Sequence, residues 1–150
     1  MSCDDDNSGT RLLEITTLEG ISTLLPKLKT QFPDLVGKWD AEQTADGFIL
    51  ESFTGFMNKN FKVYAELRGD DILYCFIADL RGKTAIFTLF FINPIIRQDS
   101  EKLANLALDN LRALGHNKAK LATTRLTKSY SRWMGKLGFE PSKLQYERTL

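Results

Sequence analysis

The feature that most constrains the fold is a block of three strand-like segments in the middle of the chain. Residues 61–67, 72–80 and 84–92 are rich in β-branched and aromatic side chains, and short connections containing Gly69 and Gly82 separate them. Such connections predict antiparallel hairpins. The third segment (TAIFTLFFI, 84–92) is almost wholly apolar, which predicts a central strand covered on both faces.

Two helices are predicted before this block. The first is indicated by apolar residues at helical spacing, namely Ile21, Leu24, Leu25 and Leu28. Pro26 interrupts this stripe, so we expect the helix either to kink there or to begin late. The second helix is predicted within residues 46–58, with Ile49, Phe53 and Phe56 on one face.

A third helix is predicted after Pro94. Ser100 is a candidate N-cap, Glu101 suits the positive helix N-terminus, and Gly115 suits the C-terminal stop. Its expected buried stripe consists of Leu103, Leu106, Ala107, Leu111 and Leu114.

Shorter patterns complete the order of elements. Strands are predicted at residues 11–16, 120–122 and 143–149, and a helix at residues 127–137. The order β-α-α-β-β-β-α-β-α-β predicts an α/β (α+β) fold, with a mixed, mostly antiparallel central sheet flanked by helices. We expect residues 1–9 to be a flexible acidic tail and residues 10–150 to form one domain.

Composition excludes some classes of protein. A hydrophobic fraction of 43% is ordinary for a globular domain, and no apolar run reaches the ~20 residues that cross a bilayer. The acidic start is not a secretory signal, so we expect a cytoplasmic location. Cys75 lies in an apolar run and is predicted to be a buried, unreactive thiol.

Charge is unevenly distributed along the chain. Residues 1–115 hold 12 Lys/Arg and 17 Asp/Glu, whereas residues 116–150 hold 8 Lys/Arg and 2 Asp/Glu. The basic residues around Lys128, Arg132 and Lys136 could contact phosphates, but aromatic side chains are not interleaved with them. We therefore interpret them as a solvated face and do not expect nucleic-acid binding.

Two segments resemble the GNAT superfamily of N-acyltransferases, and with the element order the resemblance extends from about Arg11 to Leu150. Residues 92–102 (INPIIRQDSEK) are similar to the family's acyl-CoA motif, in which an apolar strand ends at Pro and an Arg or Gln follows three residues later. Residues 130–139 (YSRWMGKLGF) are similar to the family's penultimate helix and its Leu-Gly-Phe ending. The resemblance implies the GNAT fold and assigns Ile92, Arg97, Ser100 and Lys102 to acyl-CoA.

The same segments depart from the family pattern. Ser100 and Lys102 occupy the two motif positions where the family has small residues, glycine first, and Asp99 and Glu101 bring negative charge to the expected pyrophosphate site. A capped helix start explains this segment without a ligand, and we rank that interpretation first. Met134 occupies the position of the family's proton-donating tyrosine, and Tyr130 is the nearest phenol.

The sequence offers few other candidates for catalytic or metal-binding residues. Glu66 and Asp79 are the candidate bases for an amine substrate on the central strands, with Tyr130 as the remaining acid candidate. His116 is the chain's single histidine, so a histidine-rich metal site is not expected.

Two functional hypotheses follow. The first is a GNAT-fold binding or assembly module that has lost acyl-CoA catalysis, requires no cofactor and binds a protein partner, with a phage virion as one setting by analogy. An exposed surface around Phe53, Phe56 and Met57 is a candidate for that partner. The alternative is an acetyl-CoA-dependent N-acetyltransferase with an altered pyrophosphate loop. The lost glycines and the lost acid position favour the first.

Overall fold

The computed structural model describes residues 11–33, 44–121, 132 and 135–139. Its helices are α1 (Leu18–Thr30), α2 (Ala45–Met57) and α3 (Ser100–Ala113), and a 3₁₀ helix (Pro94–Asp99) precedes α3. Its strands are β1 (Phe61–Arg68), β2 (Asp71–Asp79), β3 (Ala85–Ile92) and β4 (Ala119–Leu121). The predicted tail (1–9) and last strand (143–149) lie outside the described residues, as does most of the predicted helix 127–137.

The four strands form one sheet in the order β1-β2-β3-β4. The pairs β1–β2 and β2–β3 are antiparallel, which confirms both predicted hairpins, and β4 is parallel to β3. A mixed and mostly antiparallel sheet is therefore present, as the sequence predicts.

Helices cover both faces of the sheet. One face packs against α3 through a buried cluster that includes Tyr64, Tyr74, Phe76, Phe87, Phe90, Leu103, Ala107 and Leu111. The other face packs against α1 and α2 through a second cluster that includes Ile21, Leu24, Leu28, Phe48, Val63, Cys75, Ile77 and Leu89. Cys75 is fully buried, as expected, and burial raises the pKa of its thiol.

The most deeply buried strand is β2 rather than β3. Residues 72–78 of β2 are all buried, because β1 and β3 flank this strand and helices cover both of its faces. In β3, Ile86 is 38% exposed and the last residues, Phe91 and Ile92, are half-buried. The expectation that β3 is covered throughout was wrong at these positions.

The first predicted strand forms only an isolated bridge. Glu14 pairs antiparallel with Tyr64 of β1, and backbone bonds join Ile15 N to Val63 O and Ala65 N to Leu13 O. The Tyr74 hydroxyl accepts a hydrogen bond from Leu13 N at 2.8 Å and donates one to Arg11 O at 2.7 Å. A side chain from β2 therefore satisfies the backbone groups that a longer ladder would use.

Helix α1 begins at Leu18 and continues through Pro26, so a late start was wrong. The Thr17 hydroxyl caps it by accepting from Gly20 N at 3.0 Å. Pro26 has no N–H to donate to the Ser22 carbonyl. This is tolerated because both residues lie on the exposed side of the helix.

Helix α2 buries a different face from the one predicted. Phe48, Ser52 and Gly55 are buried, whereas Ile49, Phe53 and Phe56 are half-buried at the margin of the cluster. The reason is steric: a Cβ added at Gly55 would lie 2.5 Å from the Phe61 ring. Glycine therefore allows α2 to approach β1 closely, which rotates the helix relative to the apolar pattern.

Helix α3 also differs in detail from its predicted stripe. Leu103, Ala104, Ala107 and Leu111 are buried, Leu106 is half-buried, and Leu114 is 47% exposed. Leu114 is exposed because α3 ends at Ala113, after which Gly115 takes a φ of +99°, as expected of a terminating glycine.

A buried hydroxyl on α2 provides a first prediction. Ser52 is 1% exposed, and its Oγ has no hydrogen-bond partner within the described part of the chain. Because a buried hydroxyl without a partner costs free energy, we expect Ser52→Ala to stabilise the protein by about 1 kcal/mol. Urea unfolding would measure this, with Thr54→Ala on the exposed side of α2 as the control. A destabilised Ser52→Ala protein would contradict the prediction.

Candidate functional site

The segment that follows β3 is held firmly against β2. Asn93 N donates to Leu73 O at 2.8 Å, and the Asn93 side-chain amide donates to Ile72 O at 3.2 Å. Its side-chain oxygen accepts from Ile95 N at 3.0 Å and so caps the 3₁₀ helix, with Pro94 in the first turn. Asn93 fixes where the chain leaves the sheet, a role that the sequence analysis missed although an Asn-Pro pair is a known cap signal.

The predicted Ser100 cap was wrong. Ser100 has helical backbone angles (φ −63°, ψ −44°), and Asp99 occupies the N-cap position. No side chain in the described residues makes a cap hydrogen bond there. The reason is that the 3₁₀ helix runs directly into α3, so Ser100 continues a helical path and does not start one. The Ser100 N–H donates to Arg97 O of the 3₁₀ helix, and the first α3 turn has no side-chain cap in that part of the chain.

Two cations lie at this helix start. The Arg97 side chain is exposed and has no hydrogen-bond or ion-pair partner within the described ranges. Lys102 is also exposed, and it lines an open hollow of about 550 Å³ between α3 and the N-terminal segment, where Arg11 is a second cation. Sequence reasoning missed Arg11, because only the tertiary structure brings residue 11 beside α3. Asp99 and Glu101 remain the adjacent acids.

The sheet register brings one candidate base to the same end of the sheet. Tyr74 pairs with Glu66 of β1 on one side and with Ile92 of β3 on the other. Directly paired residues share a face, so Glu66, Tyr74 and Ile92 form a row on the α3 face of the sheet. Strand spacing then puts the Glu66 and Ile92 backbones about 10 Å apart. Burial of the phenol raises the pKa of Tyr74 to about 12, and the negative charge of the half-buried Glu66 adds to the rise.

The other candidate base lies at the opposite end. Asp79 pairs with Phe61 and Ile86, six residues or about 20 Å along β3 from Ile92. Its carboxylate forms a bidentate ion pair with Arg81, at 3.0 Å to Nε and 2.7 Å to Nη2, which lowers the pKa of Asp79. The structure therefore separates Asp79 from the helix start that holds Arg97, Ser100 and Lys102.

Strand β3 is irregular beside this region. Ile77 pairs with Leu89 and Ala78 with Phe87, so Thr88 is an extra residue that forms a β-bulge. The Thr88 hydroxyl donates to Ile77 O at 3.4 Å. Pairing with β4 is described for residues 85–87 of β3 alone, which are the residues before the bulge. The second half of β3 therefore leads from the bulge to the α3 start.

The second motif segment is only partly described. Leu137 is buried against the α3-face cluster, Gly138 has a φ of +84°, and the Phe139 ring lies 6.4 Å from that of Phe90. The Leu-Gly-Phe ending therefore anchors the segment to β3. Tyr130 and Met134 lie outside the described residues. Arg132 and Lys136 are exposed, as the solvated-face interpretation predicts.

The described residues contain neither a membrane-spanning helix nor a cluster of metal ligands. None of their helices has the length and apolar character needed to cross a bilayer. No group of three or more His, Cys, Asp or Glu side chains in these ranges is arranged to hold a metal ion.

Comparison with known proteins gives fold neighbours of low sequence identity. No protein-family model matches the chain, and no curated protein does. A crystal structure of a probable acetyltransferase superimposes with a TM-score of 0.64 at 16% identity, covering 94% of this chain and 97% of that one. A predicted acetyltransferase from Clostridium acetobutylicum, solved with acetyl-CoA, gives 0.64 at 16% identity, covering 93% and 95%.

A third neighbour is similar in the same way. The GCN5-related N-acetyltransferase from Ralstonia eutropha superimposes with a TM-score of 0.63 at 12% identity, covering 94% of this chain and 99% of that one. At such low sequence identities, structural similarity shows a shared fold. The chain therefore has the fold of the GNAT superfamily of N-acyltransferases.

Proposed function

We propose that this protein binds an acyl-CoA and transfers its acyl group to a primary amine. The observation that carries the proposal is the start of α3, which the 3₁₀ helix joins to β3 and which lacks a side-chain cap in the described residues. The Ser100 cap, which would explain this helix start without a ligand, is absent, whereas the lost glycines and the lost acid position still favour the binding module. One fold neighbour was solved with acetyl-CoA, which supports the proposal that this protein binds an acyl-CoA.

The residues at the α3 start suit a pyrophosphate. Helix N-termini favour anions because their first N–H groups are free to donate and the helix dipole is positive there. Arg97 supplies an exposed guanidinium with no partner in the described ranges, and Lys102 lies beside Arg11 at the adjoining hollow. Ser100 is half-buried and supplies a hydroxyl, while its backbone N–H donates to Arg97 O.

Two acids at the same place weaken the site. Asp99 and Glu101 balance the charges of Arg97 and Lys102, so the segment is close to neutral. Each partly exposed carboxylate repels a phosphate by roughly 1 kcal/mol. We therefore expect micromolar affinity for acetyl-CoA, with the adjacent acids setting its upper limit.

Acyl-CoA supplies the activated acyl group as a thioester. Glu66 is the base that the geometry favours, because it shares a row with Ile92 at the α3 end of the sheet. It would accept a proton from the amine substrate. Asp79 is a weaker candidate, because its ion pair with Arg81 lowers its pKa and hence its basicity. Tyr130 stays a candidate acid from the sequence.

A binding module is the second candidate, because large apolar side chains of α2 are exposed. Leu50 is 67% exposed and Met57 is 49% exposed, whereas Phe53 and Phe56 are half-buried in the cluster. The partner surface suggested by the sequence is thus narrower and is centred on Leu50 and Met57. Asp99 and Glu101 also suit a helix start without a ligand.

Calorimetry with acetyl-CoA tests the proposed binding. We expect Arg97→Ala to weaken binding about tenfold, because a charge-assisted hydrogen bond to phosphate is lost. Glu101→Gln should strengthen binding several-fold because it removes a repulsive charge. Lys83→Ala is the matched control, since Lys83 is exposed in the β2–β3 connection at the opposite end of the sheet. No binding to the unaltered protein at millimolar acetyl-CoA would refute acyl transfer and leave the binding module.

A second measurement separates transfer from binding. Release of free CoA thiol would be followed with spermidine, lysine and a lysine-containing peptide as amines. Glu66→Gln should keep acetyl-CoA affinity and lower the rate 10²-fold or more, as expected when a general base is removed. Asp79→Asn should leave the rate nearly unchanged. Binding without turnover on any amine would favour a non-catalytic acyl-CoA-binding protein.

A further inference from the structure

We propose a second binding site, at the C-terminal end of α3, for a small carboxylate with an apolar body. The site is a cavity of about 330 Å³ bounded by three segments of the chain: the last turns of α3, the connection into β4, and residues 137–139. Its lining consists of Leu108, Leu111, Arg112, His116, Asn117, Lys118, Ala119, Leu137, Gly138 and Phe139. A volume above ~300 Å³ is within the range of small-molecule sites.

The polar part of this lining is cationic. Arg112 and Lys118 bring two positive charges, and no Asp or Glu of the described residues belongs to the lining. Lys118 is exposed and its ammonium has no partner within the described residues. Arg112 uses Nη1 to bond Asp109 at 2.6 Å, which leaves further N–H groups of its planar fork for a second carboxylate.

The helix end does not cancel this positive charge. The carbonyls of the last α3 turn would repel an anion if they were free. Those of Leu111 and Arg112 are instead occupied, since Gly115 N donates to Arg112 O at 3.0 Å and His116 N donates to Leu111 O at 3.1 Å. Gly115 makes this closure with its φ of +99°.

His116 fixes the connection that forms one wall. Its ring Nδ1 lies 3.1 Å from Lys83 O, and because a carbonyl can only accept, Nδ1 carries the proton. The bond ties residue 116 to the β2–β3 connection. The wall is therefore held by contacts with both α3 and the sheet.

The rest of the lining selects an apolar ligand body. Leu108, Leu111, Leu137 and Phe139 all pack at the α3-face cluster and continue it into the cavity wall. An inorganic anion would gain no binding energy from these side chains, whereas a phenyl or short alkyl group would bury apolar surface against them. The volume limits the ligand to roughly the size of an aromatic acid.

This site is distinct from the proposed acyl-CoA site. The 14 residues of α3 span about 20 Å, and the two sites lie at opposite ends of that helix. Lys102 belongs to one and Arg112 to the other. Binding at each can therefore be measured independently.

The test uses the full chain and ¹H–¹⁵N NMR titration with 3-phenylpropionate, its amide, and inorganic phosphate. We expect 3-phenylpropionate to bind with a Kd of about 0.1 to 1 mM, as suits a ligand of this size. Shifts should concentrate on the amides of residues 116–119 and 137–139. Arg112→Ala/Lys118→Ala should weaken binding at least fivefold. Lys29→Ala/Arg68→Ala removes the same charge from distant exposed positions and should leave the Kd unchanged.

Several results would overturn the proposal. These are the absence of binding at about 10 mM, equal affinity for the amide, tighter binding of phosphate, or shifts confined to other parts of the chain. Equal weakening by the two double variants would also overturn it, because general charge would then explain the effect. Acetyl-CoA affinity of the Arg112→Ala/Lys118→Ala protein should be normal, so failure here and failure of the acyl-CoA proposal are distinguishable.

Discussion

Raising the pH through the range from 10 to 12 should unfold this protein, and two buried tyrosines should account for a large part of the lost stability. Tyr64 is 1% exposed and Tyr74 is fully buried, and burial raises the pKa of each from 10.0 to about 12. The Tyr64 hydroxyl donates to Asn110 Oδ1, and the Tyr74 hydroxyl donates to Arg11 O. Ionisation of either phenol would put a negative oxygen against an acceptor.

The sign of the effect follows from linkage. The folded-state pKa is above the unfolded value, so the stabilisation is fully present below pH 10 and is lost as the pH rises towards 12. A rise from 10 to about 12 corresponds to about 3 kcal/mol for each tyrosine. Because a domain has roughly 5–15 kcal/mol of stability, the loss of roughly 5–6 kcal/mol from both is large enough to unfold it.

Urea unfolding at a series of pH values would measure this loss, with tyrosinate absorbance recording the ionisation. Tyr64→Phe should cost about 1 kcal/mol at neutral pH, because a hydrogen bond is lost, and should make the decline above pH 10 shallower. Cys75→Ala is a necessary control, since the raised pKa of the buried thiol begins to contribute at lower pH. If Tyr64→Phe and Tyr74→Phe leave the slope unchanged, the phenols are not the cause.

Phe76→Ala should destabilise the protein by about 4 kcal/mol. Phe76 is fully buried at the centre of the sheet, and its ring stacks on Phe90 with centroids 4.7 Å apart. Phe87 and Tyr74 contact it from the sides, at 6.5 Å and 5.5 Å between centroids. Removing a buried phenyl group leaves a cavity and breaks these ring contacts, which together cost ~3–5 kcal/mol.

Denaturant unfolding with matched variants checks this value. Phe76→Leu keeps most of the volume and should cost less than half as much. Ile86→Ala, at a partly exposed position on the neighbouring strand, should cost under about 1 kcal/mol. A double-mutant cycle of Phe76 and Phe90 should show coupling of at least 0.5 kcal/mol. Additive losses would mean that the stacked pair contributes nothing beyond burial.

The local elements were predicted well where pattern and turn chemistry agreed. The hairpins around Gly69 and Gly82 and the end of α3 at Gly115 were all found, because glycine positions and apolar runs are local signals. The start of α3 was predicted at the right place with the wrong cap. Whether Ser100 or Asp99 is the N-cap depends on the 3₁₀ helix before it, which propensities do not reveal.

The sequence likewise predicted only part of the candidate site. Arg97, Ser100 and Lys102 came from the motif and do lie at the α3 start, but their ligand stays a proposal. The ranking of Glu66 above Asp79 required the strand register, because both are acids within predicted strands. Arg11 beside Lys102 and the cavity near Arg112 were invisible in the sequence, since their residues are distant along the chain.

The sequence by itself determined the order of elements, the two hairpins and the resemblance to the GNAT superfamily, because these depend on periodicity and on glycine and proline positions. The tertiary structure decided three further matters: which face of α2 is buried, which acid shares a row with Ile92, and that α3 starts without a side-chain cap in the described residues. These depend on packing distance and register, such as the close approach of Gly55 to Phe61, which no local pattern encodes.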